Sequence, residues 1–220
     1  MIPLYDADRR PVNFPIMTLA IIVVNFIVFF LELAGGDAFV SRWALVPAQI
    51  TAGKDWITLL TSMFLHASWE HILGNMMFLW AFGPEVEDTM GRVKYLVFYL
   101  LGGLIANLAQ IAIIPNSTDL NLGASGAIAA VMGAFMLAFP RDRIKTVLII
   151  GIFVKVTLIP SALLIGVWFL LQVFSQLGSI AAVQSGGVAY MAHIGGFIYG
   201  AIAGRWFESP AARSDQETLG

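Results

Sequence analysis

The stretch LGASGAIAAV, residues 122–131, decides what kind of chain this is, read together with YMAHIGGFIYG at 190–200. Each apolar run holds one side chain able to do chemistry, Ser125 or His193. Each also begins a stripe of small residues at every fourth position. Gly126, Ala130 and Ala134 form one stripe, and Gly196, Gly200 and Gly204 form the other. Four residues is close to one helical turn, so each stripe lies along one helix face. Paired stripes let membrane helices approach closely, which would carry His193 towards Ser125.

A third apolar stretch, FLHASWEHILGNMMFLW at 64–80, adds His66, His71 and Asn75. These two histidines and His193 are the three of the chain. A polar side chain in a bilayer costs free energy unless it is partnered, so each one there is a functional hypothesis by default.

Composition agrees with a membrane setting. The 220 residues are 59% hydrophobic and 12% charged, against about 45–50% and about 25% in ordinary soluble domains. A net charge of −2 without any basic stripe gives no electrostatic footprint for nucleic acid. The absence of cysteine excludes disulfides, thiolate catalysis and Cys-ligated metal centres. Three histidines still raise the question of zinc. Zincin-type sites place two at i, i+4 with a glutamate between them. Here His66 and His71 stand at i, i+5 with Glu70 directly before the second, so neither a metal nor any other cofactor is expected.

A membrane-crossing helix needs about 20 mostly apolar residues. That rule predicts six spans, near 16–34, 69–84, 93–114, 124–139, 159–178 and 189–207. The first is expected to remain as an uncleaved helix. The apolar stretch 144–158, bracketed by Lys145 and Lys155, reads as an interfacial connector. The organisation is therefore a cytoplasmic segment 1–15, an all-α six-helix membrane domain 16–207 and a polar tail 208–220. Six spans with the amino terminus inside leave ten of the twelve Lys and Arg cytoplasmic, with only Arg42 and Lys54 outside. This asymmetry predicts a multi-pass protein with both termini in the cytoplasm, in a prokaryotic inner (plasma) membrane.

That topology sets a depth. Ser125 lies 16 residues before Arg141, His193 lies 15 before Glu208 and His71 lies 14 before Glu85. At about 1.5 Å per residue each sits roughly 21–24 Å above the cytoplasmic face. Three distant segments thus deliver polar groups to one level, below the outer surface of a core about 30 Å thick.

Taken singly, each feature has a plain structural reading. Ser125 fits a helix cap or a packing serine, His193 fits an interhelical hydrogen bond, and the 66–75 group fits a polar network joining helices. Taken together they have a chemical reading. A serine needs a base to take its proton, and imidazole is the usual one near neutral pH. Free N–H groups at a helix start suit an oxyanion. His71 and Asn75, at i and i+4, share a helix face and both can donate to such an oxyanion. No carboxylate falls in the central part of a span, so a Ser–His dyad is expected rather than a triad.

The ordered set His66-x4-His71-x3-Asn75, Gly123-x-Ser125-Gly126 and Ala192-His193-x-Gly195-Gly196 resembles the rhomboid intramembrane serine proteases, over about residues 10–208. FGPEVEDTMG at 82–91 is also similar to the family's loop after the second span. The resemblance implies a six-helix rhomboid-like bundle that cleaves single-span membrane protein substrates within the lipid bilayer, near its outer face. It implies Ser125 as nucleophile and His193 as base. His71, Asn75 and the Ser125 backbone N–H would form the oxyanion hole, supported by His66 and Gly123. One departure is visible. Some members carry an aromatic residue one turn after the serine, packing under the base, where this chain has Ala129. The support of His193 is left unassigned. The competing readings are a catalytically silent relative that binds membrane clients, and a small transporter.

Three further expectations concern access. The segment 35–68, with Trp43 and Trp56, should lie half-immersed at the interface. The loop 179–188 should cover the site. The fifth span, with Pro160 at its start and the large side chains Trp168, Phe169 and Phe174, should pack loosely and serve as the gate.

Overall fold

The computed structural model describes residues 1–182 and 189–209. Residues 183–188 of the expected cover loop, and the tail beyond 209, lie outside the described residues. The order is β1 (Ile2–Asp6), α1 (Ile16–Trp43), α2 (Pro47–Thr51), α3 (Thr58–Thr61), a 3-10 turn (Ser62–Phe64) and α4 (Trp69–Met90). It continues with α5 (Arg92–Ile113), α6 (Ser125–Ala138), β2 (Arg143–Ile150), β3 (Phe153–Pro160), α7 (Ser161–Ala182) and α8 (Tyr190–Phe207). Six of these helices match the six expected spans to within a few residues at most ends. α1 continues past its span, but Gly36, at φ +58°, breaks it. α7 takes in 179–182, expected as loop. By length and composition α1 and α5 can each cross a membrane, while α6 and residues 161–174 are shorter apolar helices.

The all-α expectation needs correction. The 144–158 stretch, which links α6 to α7, is a pair of strands: β2 and β3 form a hairpin closed by Gly151 at φ +60°. The segment 1–15 is not merely polar lead-in, because β1 pairs antiparallel with β2, from Ile2 opposite Val147 to Asp6 opposite Ile144. The three strands lie in the order β1-β2-β3. The hairpin sequence is rich in Val, Ile and Thr, which favour strands, and apolarity alone hides that preference.

The bundle is apolar outside as well as inside, with a few polar groups enclosed within it. Its outer surface exposes Ile27, Phe30, Leu31, Ile202 and Trp206, while Thr18, Asn25, Glu87 and Gln110 are buried. Soluble surfaces seldom carry such a continuous apolar face. Polar groups kept inside must find partners, and Glu87 shows how. It reaches from the last turn of α4 to accept the N–H groups of Met17 (2.9 Å) and Thr18 (2.7 Å) and the Thr18 hydroxyl (2.8 Å). A carboxylate at a helix start satisfies unpaired amides and complements the dipole. Asp88 likewise accepts from Val12 and Asn13.

The centre of the bundle is α6, buried from Gly126 to Phe135. The two small-residue stripes meet as expected. A methyl group added at Gly196 would strike the Gly126 carbonyl, one at Gly200 the Ala130 carbonyl, and one at Gly204 the Ala134 methyl at 2.8 Å. α5 joins the same contact, where a methyl group added at Gly102 would come within 2.6 Å of the Ala130 methyl. Tyr95, Phe98, Tyr99, Phe82 and Phe135, all fully buried, fill the other half of the core.

At one end of the bundle, ion pairs tie the amino-terminal segment to the hairpin: Arg9 with Asp142 at 2.9 Å, and Arg143 with Asp8. The Arg143 side chain, then the Arg143 amide, hydrogen-bonds Asp8 and holds its carboxyl down at about 2. Asp6 behaves oppositely. Its Oδ1 accepts the Asp8 and Arg9 amides, but burial, with Asp142 close by, pushes it up to about 6.

Two predictions follow from this packing. Gly200→Val puts a branched side chain where the Ala130 backbone stands, and overpacking of this kind costs about 1–3 kcal/mol or more. Its melting temperature in detergent should fall by several degrees, whereas Gly166→Ala, with open space around the new methyl, should not fall. An unchanged melting temperature for Gly200→Val would mean that the α6–α8 contact is looser than drawn. The second concerns pH. A carboxyl whose folded pKa is raised to about 6 penalises the fold fully above that pH, and the penalty fades as pH falls towards its unfolded value near 3.9. Asp6→Asn keeps the acceptor oxygen and removes the charge. Thermal scans should show it more stable than the parent at pH 7–8, with the gain gone at pH 4.

Candidate active site

The site forms where α6, α8 and α4 begin. Gly123 precedes α6 at φ +128° and donates its N–H to the Ser62 carbonyl at 2.9 Å. Only glycine suits that backbone, and the space forbids more: a methyl there would meet His71 Cε1 at 2.9 Å and Nε2 at 3.0 Å. Ser125 is the first residue of α6, so its N–H is among the helix-start amides that lack an intrahelical partner.

His193 sits in the first turn of α8, with Nε2 2.7 Å from Ser125 Oγ. Its other nitrogen, Nδ1, is 2.7 Å from Gln172 Oε1 on α7. Trp168, one turn earlier on that helix, packs against the imidazole with ring centroids 5.7 Å apart. The position after the serine where an aromatic was sought is Ala129, wholly buried, and the ring contact comes from α7 instead.

Across the cavity, Ser68 caps α4 by accepting the His71 N–H at 3.2 Å. His71 Nδ1 accepts the Ala67 N–H at 3.4 Å, which leaves Nε2 as the protonated nitrogen, on the side of Gly123 and Ser125. Asn75, one turn on, is buried, and its Nδ2 has no hydrogen-bond partner among the described residues. A buried donor without a partner is uncommon, and here it borders the cavity that Ser125 and His193 also line. His66 precedes the helix, as its spacing predicts, and its ring meets His71 edge-on at 5.1 Å.

All six expected residues, Ser125, His193, His71, Asn75, His66 and Gly123, therefore come together around one cavity of about 1040 Å³. It opens between the end of α1, the 66–71 segment, the 120–122 loop and Ala189. Two contributors lie outside that set. Glu32, buried in α1 just before the break at Gly36, accepts the His66 N–H through both oxygens, at 3.0 and 3.1 Å. Gln172 is an amide within the apolar run of α7, one turn before Gln176. The rule that singles out polar groups in membrane segments applies to both. The loosely packed fifth span is corrected in part, because Phe169 stacks on Phe197 at 4.3 Å and Trp168 packs at a tilt against His193, while Phe174 stands exposed.

Chemically, the arrangement pairs a hydroxyl with an acceptor nitrogen and faces both with three donors: the Ser125 N–H, His71 Nε2 and Asn75 Nδ2. Such a set can accept a proton from the hydroxyl and hold a negative oxygen.

Comparison with known proteins gives the same direction. Residues 53–209 match the family model described as Rhomboid domain. The chain is similar to Rhomboid-like protein 11, chloroplastic, of Arabidopsis thaliana, at 29% identity over 74% of this chain and 56% of that protein. It is similar to Rhomboid protein 1, mitochondrial, of Saccharomyces cerevisiae, at 27% over 91% of this chain and 56% of that protein. Rhomboid protease GlpG of Yersinia pestis matches at 27% over 91% of this chain and 66% of that protein. The chain thus spans little more than half the length of the first two.

The Glu32 contact yields a prediction of its own. Glu32→Ala leaves the buried His66 amide without an acceptor, which costs about 1–3 kcal/mol, whereas Glu32→Gln retains one acceptor oxygen. Melting temperatures should order parent above Gln above Ala, and equal values for all three would remove Glu32 as the anchor of the 66–71 segment.

Proposed function

The chain belongs to the rhomboid family, whose proteins are integral to membranes, and from that premise we propose that it is an intramembrane serine endopeptidase. The observation that carries the reading is the 2.7 Å contact between His193 Nε2 and Ser125 Oγ. In the proposed reaction Nε2 takes the serine proton as Oγ attacks a substrate carbonyl. The oxyanion is held by the Ser125 N–H, His71 Nε2 and Asn75 Nδ2, with His66 and Gly123 supporting His71. The imidazolium then protonates the leaving amine, and water releases the acyl group by the same route in reverse.

The proposed substrates are single-span membrane proteins cut near the outer face. A membrane helix satisfies all its backbone hydrogen bonds internally, so the substrate must unwind locally to reach the serine. The proposed setting has six helices crossing a prokaryotic plasma membrane and both termini in the cytoplasm. Ten of twelve basic residues on one side support it, as does an outer surface rich in exposed Ile, Leu and Phe. Neither metal nor other cofactor has a part in these steps.

The test combines a fluorophosphonate probe with cleavage of a panel of single-span substrates in liposomes. The parent should label and cleave, while Ser125→Ala and His193→Ala should do neither and melt as the parent does. Asn75→Ala should lower kcat by about 10²–10³ with KM nearly unchanged, the effect of losing one oxyanion donor. Appreciable cleavage by Ser125→Ala would end the proposal, and labelling without cleavage of any substrate would favour a client-binding relative.

A further inference from the structure

We propose that Gln172 is the positioning residue for the base, taking the place that an aspartate holds in a Ser-His-Asp triad; this rests on reading Ser125 and His193 as nucleophile and base. A neutral imidazole has one nitrogen that donates and one that accepts, and the partner of the first decides which is which. Only with the proton on Nδ1 can Nε2 take the serine proton. With the opposite tautomer Nε2 would donate to Ser125 Oγ and no base would remain. Gln172 Oε1, an oxygen that can only accept, lies 2.7 Å from Nδ1. It therefore holds the productive tautomer and aims Nε2 at Ser125.

Among the described residues, the rest of the surroundings leave this task to Gln172. From α4, His71 is the other titratable group facing His193. α6 contributes Ser125 itself. From α7, Trp168 covers the ring at 5.7 Å but offers Nδ1 no acceptor. α5 reaches the preceding residue only, where Gln110 Oε1 accepts the Ala192 N–H at 3.2 Å. Trp168 and Gln172 stand at i and i+4, on one face of α7. One covers the ring and the other fixes its proton, so the base on α8 is held from its neighbouring helix. A displacement of α7 away from α8 would release both contacts together.

A neutral amide also suits the location. An aspartate would fix the tautomer and stabilise the imidazolium, at the cost of a second buried charge in a low-dielectric setting. Glutamine fixes the tautomer without that charge.

The experiment uses the full chain in liposomes with a cleavable single-span substrate, and compares Gln172→Met, Gln172→Ala and Gln172→Glu with the parent. Methionine fills similar space and has no strong acceptor. Gln172→Met and Gln172→Ala should lose about tenfold or more in kcat, with KM within about twofold, because proton transfer alone is impaired. Gln172→Glu restores an acceptor and adds charge. It should recover activity over Met and move the acidic limb of the kcat/KM profile upward by about one pH unit. Full kcat and an unshifted profile in all three would overturn the positioning role. So would a loss in Met and Ala matched by an equal drop in melting temperature and not restored by Glu, since that pattern belongs to packing. Ser125→Ala, run alongside, keeps the two claims apart. If it is dead while Gln172→Met is fully active, only the role of Gln172 fails; if it is active, the dyad reading fails first.

Discussion

The fold depends on one contact, the backbone-to-backbone approach of α6 and α8. Gly196 lies on the Gly126 carbonyl, Gly200 on the Ala130 carbonyl and Gly204 on the Ala134 methyl. In a bilayer, helices gain little from hydrophobic exclusion, so close packing and hydrogen bonding have to hold them together. Small residues at every fourth position make such packing possible. The same contact sets the chemistry. Ser125 is one residue before Gly126, and His193 three before Gly196. Drawing the two stripes together leaves no route by which Ser125 and His193 could stay apart. The 2.7 Å pair is a consequence of the glycines as much as of the serine and histidine themselves.

Around that pair the polar groups are fixed by local devices at the mouth of the bundle. Ser68 caps α4, the Ala67 amide sets the His71 ring, and Glu32 receives the His66 amide through both oxygens. Gly123 bonds Ser62, and Leu45 pairs with Asn121 through two backbone hydrogen bonds. Each satisfies a backbone group that membrane or protein would otherwise leave unpaired. Not every buried polar atom finds such a partner among the described residues: Asn25 Oδ1, Glu85 Oε2, both His66 ring nitrogens and Asn75 Nδ2 do not, and of these His66 and Asn75 line the cavity.

Much of this could be read from the chain. The helices matched long apolar runs, and the pairing of α6 with α8 followed from residue spacing alone. His66, His71, Asn75, Ser125 and His193 were legible because polar atoms stand out against an apolar background. The sheet is not legible, because apolarity is what marks a membrane segment and β2 and β3 are apolar too. Their Val, Ile and Thr content and the glycine between them favour a hairpin, but a hydropathy window does not separate a strand pair from an interfacial segment. The amino-terminal strand is less visible still, since IPLYD finds its partner strand far along the chain, where the Asp8–Arg143 and Arg9–Asp142 ion pairs also join the two segments.

Gln172 shows a different limit. It satisfies the rule that singled out the other polar residues, yet glutamine is neither nucleophile nor base, and a search for catalytic side chains passes over it. Its meaning appears only once α7 is packed on α8, because its partner lies 21 positions away and on another helix. The same packing explains Ala129. An aromatic at that position could cover His193 from within α6, but α6 is the helix squeezed between α5 and α8, where Ala127, Ala129 and Ala130 are all buried to within 1% exposure. Ala129 is wholly buried, and a large ring there would overpack its surroundings. Cover for the His193 ring comes instead from α7, where Trp168 lies over the imidazole. Close packing of α6 on α8 and aromatic cover from α7 together hold His193 beside Ser125.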